Sequence, residues 1–314
     1  MTSIKISAIL PNYNCARFLP KSMQSLVDQT EPFTEIIIVD DGSTDESLSV
    51  IDGFMQKYDN IRLIKHEKNQ GVSCALNTGL NNAVGDYVML CAADDRYHPN
   101  SVARGKEVIK QFPSVGLVCG DAIVQRFDLK SPFYRALPYE KNRLISAEEF
   151  KSMARKKHVG FNSGGSMFIR KTAVFAAGLL HAPLRWHSDW LLYFAVALRE
   201  GFYYTGEPFI YINMRNEAYS RGKHNWKIQK QVMIDTIKVL ADYFPDVWND
   251  FKEAALLPDY DIRYIFLFLM YSKSRRFLTL LLLWKCIINN AIVTRIGRLF
   301  PYRVILKMRK FLRA

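Results

Sequence analysis

The chain alternates short apolar runs with longer segments in which apolar residues recur every three or four positions. Four predicted strands, each followed by a segment of helical spacing, come first: strands 4–10, 35–40, 61–66 and 87–91, and segments 18–29, 46–58, 72–82 and 101–111. The uninterrupted apolar runs 36–39 and 87–91 are typical of strands buried on both faces. The pattern therefore predicts an α/β fold, with a parallel sheet covered by helices.

The pattern loosens after a fifth apolar run at residues 115–119. Residues 122–143 contain two prolines and many aromatic and basic side chains, and they predict a loop or edge hairpin over a site. Four more elements are predicted: a strand at 166–170, a helix at 190–199, an extended segment at 202–214 and a helix at 226–243. We expect one domain over residues 1–225 and a helical region over 226–314.

Positive charge is concentrated at the end of the chain. The net charge is +13 over 314 residues, and residues 262–314 hold twelve Lys and Arg but no Asp or Glu. The remainder is nearly neutral, which argues against a nucleic-acid partner. The apolar runs 262–270 and 277–284 are too short to span a bilayer. With their basic neighbours they favour binding to an anionic membrane surface; core helices with solvated basic faces, or a basic nucleic-acid arm, are the alternatives.

The N-terminus and the cysteines indicate a cytoplasmic protein. Residues 1–7 lack the apolar segment of a signal peptide. The five cysteines are odd in number and none has metal-ligand spacing, so they are interpreted as reduced thiols. Together with the basic end of the chain, this predicts a peripheral location on the inner face of the cell membrane.

Two acidic clusters each follow a predicted strand: Asp40 and Asp41 after the second, and Asp94 and Asp95 after the fourth. The carboxyl ends of parallel strands meet at the edge of the sheet where ligands bind, and hard divalent cations prefer oxygen ligands. The clusters therefore indicate a metal-bound nucleotide. Each also has a structural alternative, because Ser43 and Glu46 form a possible capping box and Asp94–Asp95 resembles a solvated loop.

Four blocks and a weaker fifth together resemble the inverting family 2 glycosyltransferases of the GT-A fold. The blocks are residues 8–14, 36–45, 69–79 and 85–99, and the fifth runs over 164–178 to Ser188-Asp189-Trp190. The match covers residues 4–215 and not the tail. The resemblance implies a GT-A-type, mostly parallel sheet flanked by helices, with a nucleotide-binding half at about 1–120 and an acceptor half at about 121–225.

The resemblance implies a nucleotide-diphospho-sugar donor, usually a UDP-sugar. The residues it places at the nucleotide are Pro11, Tyr13, Asp40, Asp41, Asn69, Gly71, Asn77 and Asp94. Asp40 or Asp41 would accept a hydrogen bond from the pyrimidine imide N–H, because an ionised carboxylate only accepts. For the 69–79 block, an ordinary loop and helix start is an equal alternative.

The resemblance also implies Mn²⁺ or Mg²⁺, with Asp95 as the ligand and Asp94 at the ribose or a metal-bound water. Such a cation neutralises the diphosphate leaving group. The chain departs from the family pattern at Ala92, where a third carboxylate is common, and at Leu76, where an arginine is common. Magnesium sites often use one or two carboxylates plus phosphates, so metal binding remains the prediction.

Asp189 matches the general base of the family, although Ser188 replaces the usual glutamate before it. The base takes a proton from the acceptor hydroxyl on the face opposite the diphosphate; a helix N-cap is the alternative role. Further candidates for acceptor or phosphate contacts are Asn162, Ser163, Gly164, Trp186, His187, Trp190, Arg215, Arg221 and His224. Their alternatives are core aromatics, a structural histidine and a solvated charge run.

The predicted function is transfer of one sugar to an acceptor hydroxyl of a lipid-linked or envelope glycan. A nucleotidyltransferase is the first alternative, although the chain lacks a Gly-rich, Lys-bearing phosphate loop near its first strand. A non-catalytic sugar-nucleotide-binding or scaffold protein is the second, because Ala92, Leu76 and Ser188 depart from the family pattern.

Overall fold

The computed structural model describes residues 3–126, 128–156, 159–215 and 225–253. The chain divides into two compact units, Met1–Asn225 and Trp226–Ala314. The basic, apolar segment 262–314, predicted to bind membranes, lies outside the described residues.

Strands and helices alternate through the described part of the chain. The strands are β1 (Ile6–Asn12), β2 (Glu35–Asp40), β3 (Ile61–Lys65), β4 (Tyr87–Leu90), β5 (Arg96–Tyr97), β6 (Leu117–Arg126), β7 (Phe133–Arg135), β8 (Arg143–Ile145), β9 (Met167–Arg170) and β10 (Phe202–Met214). The helices are α1 (Leu19–Val27), α2 (Ser47–Met55), α3 (Val72–Asn82), α4 (Ser101–Gln111), α5 (Ala147–Arg155), α6 (Lys171–Ala176), α7 (Ser188–Glu200), α8 (Trp226–Tyr243) and α9 (Trp248–Glu253). Two 3₁₀ helices cover Gly164–Ser166 and Ala182–His187.

One sheet runs through the first unit in the order β3-β2-β1-β4-β9-β6-β10-β5, with β7 beside β6 and β8 beside β10. The first four strands are parallel, and every residue of β2 and β4 is buried, as the uninterrupted apolar runs predict. The α/β prediction is therefore confirmed. The sheet as a whole is mixed, because β9 is antiparallel to both of its neighbours.

The register brings the ends of the parallel strands to one level. Asn12, the last residue of β1, pairs with Asp40, the last residue of β2. On the other side of β1, Ile9 pairs with Leu90, the last residue of β4. The acidic residues that follow β2 and β4 therefore lie at the same edge of the sheet, as predicted.

The region predicted to be irregular, residues 122–143, is more ordered than its prolines and charges indicate. Strand β6 continues to Arg126, and β7 returns antiparallel to it with Val124 opposite Phe133. The buried side chains of Ala122 and Val124 explain the longer strand. The chain therefore forms the hairpin that was one of the two predicted possibilities.

The capping box proposed for Ser43 and Glu46 is wrong. The N-cap residue of α2 is Glu46, whose side chain makes no capping hydrogen bond. The Ser43 hydroxyl donates instead to Asp40 Oδ1 at 2.6 Å, while Asp45 Oδ1 accepts from the Ser47 N–H at 3.0 Å. Ser43 thus stabilises the turn after β2 and does not cap α2.

The described part of the second unit consists of α8 and α9. Val232, Met233, Leu240, Phe244 and Phe251 are buried. Within the described ranges, no helix has the length and hydropathy needed to span a bilayer.

Candidate active site

A cavity of about 560 Å³ lies at the carboxyl ends of β1, β2 and β4. Four carboxylates and three guanidinium groups line it: Asp41, Asp94, Asp95, Asp189, Arg135, Arg185 and Arg215. The carboxylates come from loops that are far apart in sequence, and the fold gathers them around one space.

Most of the residues selected from the sequence face this cavity. Those that line it are Pro11, Tyr13, Asp41, Asn69, Gly71, Asp94, Asp95, Ser163, Gly164, Trp186, Asp189 and Arg215. Those that do not line it are Asp40, Asn77, Asn162, His187 and Trp190. Arg221 and His224 lie outside the described residues.

The Asp41 carboxylate organises the loop that follows β3. It accepts hydrogen bonds from the N–H groups of Gln70 at 2.9 Å and Gly71 at 2.7 Å, and its Oδ1 lies 2.6 Å from His66 Nδ1. A carboxylate has about four acceptor positions, so Asp41 can accept one further hydrogen bond at the cavity. His66 was not selected from the sequence, because its contact with Asp41 arises only in the folded chain.

Gly42 lets this loop approach the turn after β2. Its φ is +74°, and a Cβ there would lie 2.9 Å from the Lys68 carbonyl carbon. A side chain at position 42 would therefore displace the loop that Asp41 organises.

Asp40 is buried and does not line the cavity. Its Oδ1 accepts from Asn12 Nδ2 at 2.7 Å, and its Oδ2 accepts from the Ser43 N–H at 3.0 Å. Its carboxylate therefore shapes the turn, and Asp41 is the member of the pair that reaches the cavity.

Asn77 was selected as a nucleotide contact, but its amide lies away from the cavity. Its Nδ2 donates to the Leu180 carbonyl at 2.8 Å, and its Oδ1 accepts from the Leu180 N–H at 3.0 Å. Asn77 thus joins α3 to the segment that leads into the 3₁₀ helix Ala182–His187. This geometry favours the structural alternative for the residue.

Asn77→Ala is expected to lower the free energy of unfolding by about 1–3 kcal/mol, because both Leu180 backbone groups lose their partner. The donor KM should stay within about threefold of wild type. Urea unfolding and donor kinetics measure the two effects. Asn82→Ala is the matched control, since Asn82 lies on the same helix and makes one exposed bond to Thr78. A tenfold rise in donor KM with unchanged stability would instead support a contact between Asn77 and the nucleotide.

Asp95 is a buried carboxylate next to a second carboxylate, Asp94. Only 6% of its surface is exposed, and among the described residues it accepts one hydrogen bond, from the Asn213 N–H at 2.9 Å. Burial, followed by the charge of Asp94, raises the pKa of Asp95 to about 7. Such a site favours a proton or a cation close to the carboxylate.

Arg215 is paired with Asp94 at the cavity wall. Its Nε and Nη2 donate to Asp94 Oδ2 at 3.0 and 2.6 Å, and its guanidinium lies 4.2 Å from the centre of the Phe18 ring. These contacts hold the arginine beside the two adjacent carboxylates, where a bound diphosphate would meet both a positive charge and the carboxylates.

The carboxylate pair fits a divalent cation that is shared with a substrate. Among the described residues, no group of three or more His, Cys, Asp or Glu side chains is arranged to hold a metal. Asp94 and Asp95 nevertheless offer adjacent hard oxygen donors, and the pKa of Asp95 is raised by burial and by the charge of Asp94. Mg²⁺ commonly binds through one or two carboxylates together with substrate phosphates.

Arg135 was not selected from the sequence, yet it lines the cavity from β7. Its Nε donates to Asn162 Oδ1 at 2.8 Å, and Asn162 Nδ2 donates to the Gly120 carbonyl at 3.4 Å. Asn162 therefore positions Arg135 instead of lining the cavity. The many basic residues of the hairpin were the available signal, but alternation alone does not show which of them turns inward.

Asp189 lies in the first turn of α7 and faces the cavity. Its Oδ1 accepts from the Trp190 N–H at 2.7 Å, and Tyr193 Oη donates to its Oδ2 at 3.5 Å. Burial raises the pKa of Asp189 to about 6, although these hydrogen bonds act in the opposite direction. The N-cap residue of α7 is His187, so the N-cap alternative for Asp189 is wrong.

The aromatic residues around Asp189 divide between cavity and core. Trp186 lines the cavity. The ring of His187, a buried residue, lies 6.2 Å from the ring of Trp186, and the Trp190 ring packs 4.9 Å from Phe194. Trp186 is thus the aromatic side chain of this group that a ligand can reach in the cavity.

Comparisons with known proteins agree with this arrangement. An uncharacterized glycosyltransferase of Nostoc sp. is 40% identical over 116 residues, which are 37% of this chain and 36% of that protein. A PGL/p-HBAD biosynthesis glycosyltransferase of Mycobacterium bovis is 33% identical over 126 residues, which are 40% of this chain and 49% of that protein. The chain thus spans about a third to a half of these relatives.

Solved structures share the fold at low sequence identity. S. aureus TarS 1–349 in complex with UDP-GlcNAc has a TM-score of 0.61 and 14% identity, covering 87% of this chain and 74% of that one. The mannosyltransferase PcManGT of Pyrobaculum calidifontis, in complex with GDP-Man and Mn²⁺, has a TM-score of 0.52 and 17% identity, covering 98% and 84%. The model of Glycosyl transferase family 2 matches residues 7–175, more than half of the chain. Because this match covers more than half of the chain, the chain belongs to glycosyl transferase family 2.

Proposed function

We propose that this glycosyltransferase moves one sugar, with inversion, from a UDP-sugar to an acceptor hydroxyl and uses Mn²⁺ or Mg²⁺. The observation that carries the proposal is that Asp41, Asp95 and Asp189 line one cavity of about 560 Å³. That space is of the size that small-molecule ligands occupy. Membership of the family supports glycosyl transfer as the reaction class.

The donor nucleotide belongs to the side of the cavity that Asp41 lines. Asp41 has one acceptor position left for the imide N–H of a uracil ring, and Pro11 and Tyr13 line the same part of the edge. Asp94 and Asp95 are the residues that would hold the metal. Bound there, the cation would neutralise charge that develops on the leaving diphosphate, and Arg215 would add a second positive group.

The acceptor belongs to the side that Asp189 lines. In a single displacement, the acceptor oxygen forms a bond to the anomeric carbon as the bond to the diphosphate oxygen breaks. Asp189 accepts the proton of the acceptor hydroxyl, and attack from the face opposite the diphosphate inverts the configuration. Because its pKa is raised to about 6, Asp189 is ionised at neutral pH and is a stronger base than an ordinary aspartate.

The basic, apolar segment 262–314 supports an acceptor at an anionic membrane surface. Apolar area and polybasic charge are each weak membrane signals, and together they give useful affinity. We therefore include a lipid-linked or envelope glycan as the acceptor in the proposal, with the protein peripheral on the inner face of the cell membrane.

A donor screen tests the proposed function. Purified full-length protein is incubated with UDP-sugars and GDP-sugars, with Mn²⁺ or with EDTA, and nucleotide release and thermal shift are measured. We expect hydrolysis of a UDP-sugar that falls at least tenfold in EDTA. Preference for a GDP-sugar would refute the UDP assignment. A thermal shift without turnover would favour a non-catalytic sugar-nucleotide-binding protein.

A further inference from the structure

Arg185 presents an unpaired positive charge to the cavity. It lines the cavity and is exposed, and its guanidinium makes no hydrogen bond or ion pair with any residue that the structure describes. Its backbone has φ 49° and ψ −120° inside the 3₁₀ helix Ala182–His187. A side chain other than glycine is strained in this region. Strained residues of this kind cluster at ligand-binding and active sites.

Two hydroxyl groups at the same cavity also lack partners. Ser163 and Ser188 both line it, and within the described part of the chain neither Oγ has a hydrogen-bond partner. Ser188 is only 2% exposed. A buried hydroxyl without a partner is costly and uncommon in a folded protein. Because both serines line the cavity, a molecule bound there could supply the missing partner.

These groups line the same cavity as Asp189. Ser188 is its neighbour in sequence, and Arg185 lies in the preceding 3₁₀ helix. Ser163 comes just before Gly164, where a Cβ would lie 2.5 Å from Tyr193 Oη; the same Tyr193 hydroxyl donates to Asp189 Oδ2. Gly164 thus allows the backbone to pack against the pair formed by Tyr193 and Asp189.

The other two arginines of the cavity are engaged elsewhere. Arg215 is bonded to Asp94 at 2.6 Å. Arg135 is held by Asn162, and the charge that acts on it is that of Asp95. Both guanidinium groups therefore have protein partners, whereas Arg185, in the 3₁₀ helix that leads to Asp189, has none among the described residues.

We propose that Arg185, Ser163 and Ser188 form an acceptor subsite for a sugar that carries an anionic group, either a phosphate or a carboxylate. The inference rests on the proposed function, because Asp189 defines the acceptor side. The planar guanidinium binds either anion through two parallel hydrogen bonds. It also offsets the repulsion between an anionic acceptor and the ionised Asp189. The two serine hydroxyls bind hydroxyl groups of the sugar ring.

The test is a binding comparison with the donor side filled. With UDP and Mn²⁺ at saturation, calorimetry measures binding of glucose, glucose 6-phosphate and glucuronate to the full-length protein. At least one anionic sugar should bind ten or more times tighter than glucose, and the stronger of the two identifies the anion. Arg185→Gln should remove that preference, and Arg185→Lys should keep part of it. Arg143→Gln, which alters an exposed arginine on β8, should behave as wild type.

A second variant tests the hydroxyl contacts. Ser188→Ala should weaken binding of all three sugars several-fold without lowering the unfolding midpoint, since its Oγ has no described partner. Unchanged sugar binding in this variant would overturn the role of Ser188.

The outcomes separate this inference from the proposed function. If UDP and Mn²⁺ displace glucose 6-phosphate, or if Arg185→Gln raises the donor KM tenfold, Arg185 serves the donor diphosphate and the subsite is refuted. Equal binding of the three sugars by an enzyme with normal donor hydrolysis refutes the subsite alone. Absence of donor binding and hydrolysis refutes the proposed function and, with it, the acceptor role of the subsite.

Discussion

Asp189→Asn is expected to lower kcat for sugar transfer by about 100- to 10,000-fold, the usual contribution of a general base. The asparagine amide has nearly the same shape and still accepts the hydrogen bond from the Trp190 N–H, but it cannot take a proton. Its effect on stability has the opposite sign to its effect on activity. The pKa of Asp189 is raised from 3.8 to about 6, so folding is disfavoured by its ionisation as pH rises through that window. At pH 7.5 the asparagine variant should therefore be at least as stable as wild type.

Transfer kinetics and urea unfolding at pH 7.5 test this expectation together. Asp59→Asn, at an exposed position away from the cavity, is the control for loss of one carboxylate. The wild-type kcat/KM should fall tenfold per pH unit below about 6, because the base must be ionised, and the residual rate of Asp189→Asn should lack this dependence. A kcat within threefold of wild type would exclude Asp189 as the base.

Asp95→Asn is expected to lower metal-stimulated donor hydrolysis by about 100- to 1,000-fold. A cation that neutralises a leaving group contributes several kcal/mol to transition-state stabilisation, and about 1.4 kcal/mol corresponds to a factor of ten in rate. The asparagine Oδ1 can still accept from the Asn213 N–H, and the repulsion between Asp94 and Asp95 disappears. The fold should therefore be retained.

A Mn²⁺ titration of donor hydrolysis measures the effect. The variant should need at least tenfold more Mn²⁺ for half-maximal stimulation, and the same Asp59→Asn control should titrate as wild type. If the Mn²⁺ dependence of Asp95→Asn matched that of wild type, Asp95 would not be a metal ligand.

The tertiary structure distinguishes the adjacent aspartates Asp40 and Asp41. Both Asp40 and Asp41 follow a buried apolar run, and both are carboxylates at the correct edge of the sheet. Asp40 is the last residue of β2 and Asp41 begins the loop after it, and of the two only Asp41 lines the cavity. The decision depends on Asn12 and Ser43, which occupy the Asp40 carboxylate.

Long-range contacts decided the other differences. Asn77 was expected at the nucleotide because of its neighbours in sequence, but its partner Leu180 lies 103 residues later. Arg135 reaches the cavity because β7 folds back on β6. Arg185 lines the cavity with a positive φ of 49°, which an arginine in the sequence does not predict.

The sequence by itself determined the parallel half of the sheet and the position of the acidic residues at its edge. Those features follow from local periodicity, and parallel strands place their carboxyl ends together whatever their loops do. Only the tertiary structure decided which side chains enter the cavity and which hold its walls. That choice depends on strand register, on hydrogen bonds between distant segments and on the direction in which each side chain leaves the backbone, none of which is encoded in the type of a single residue.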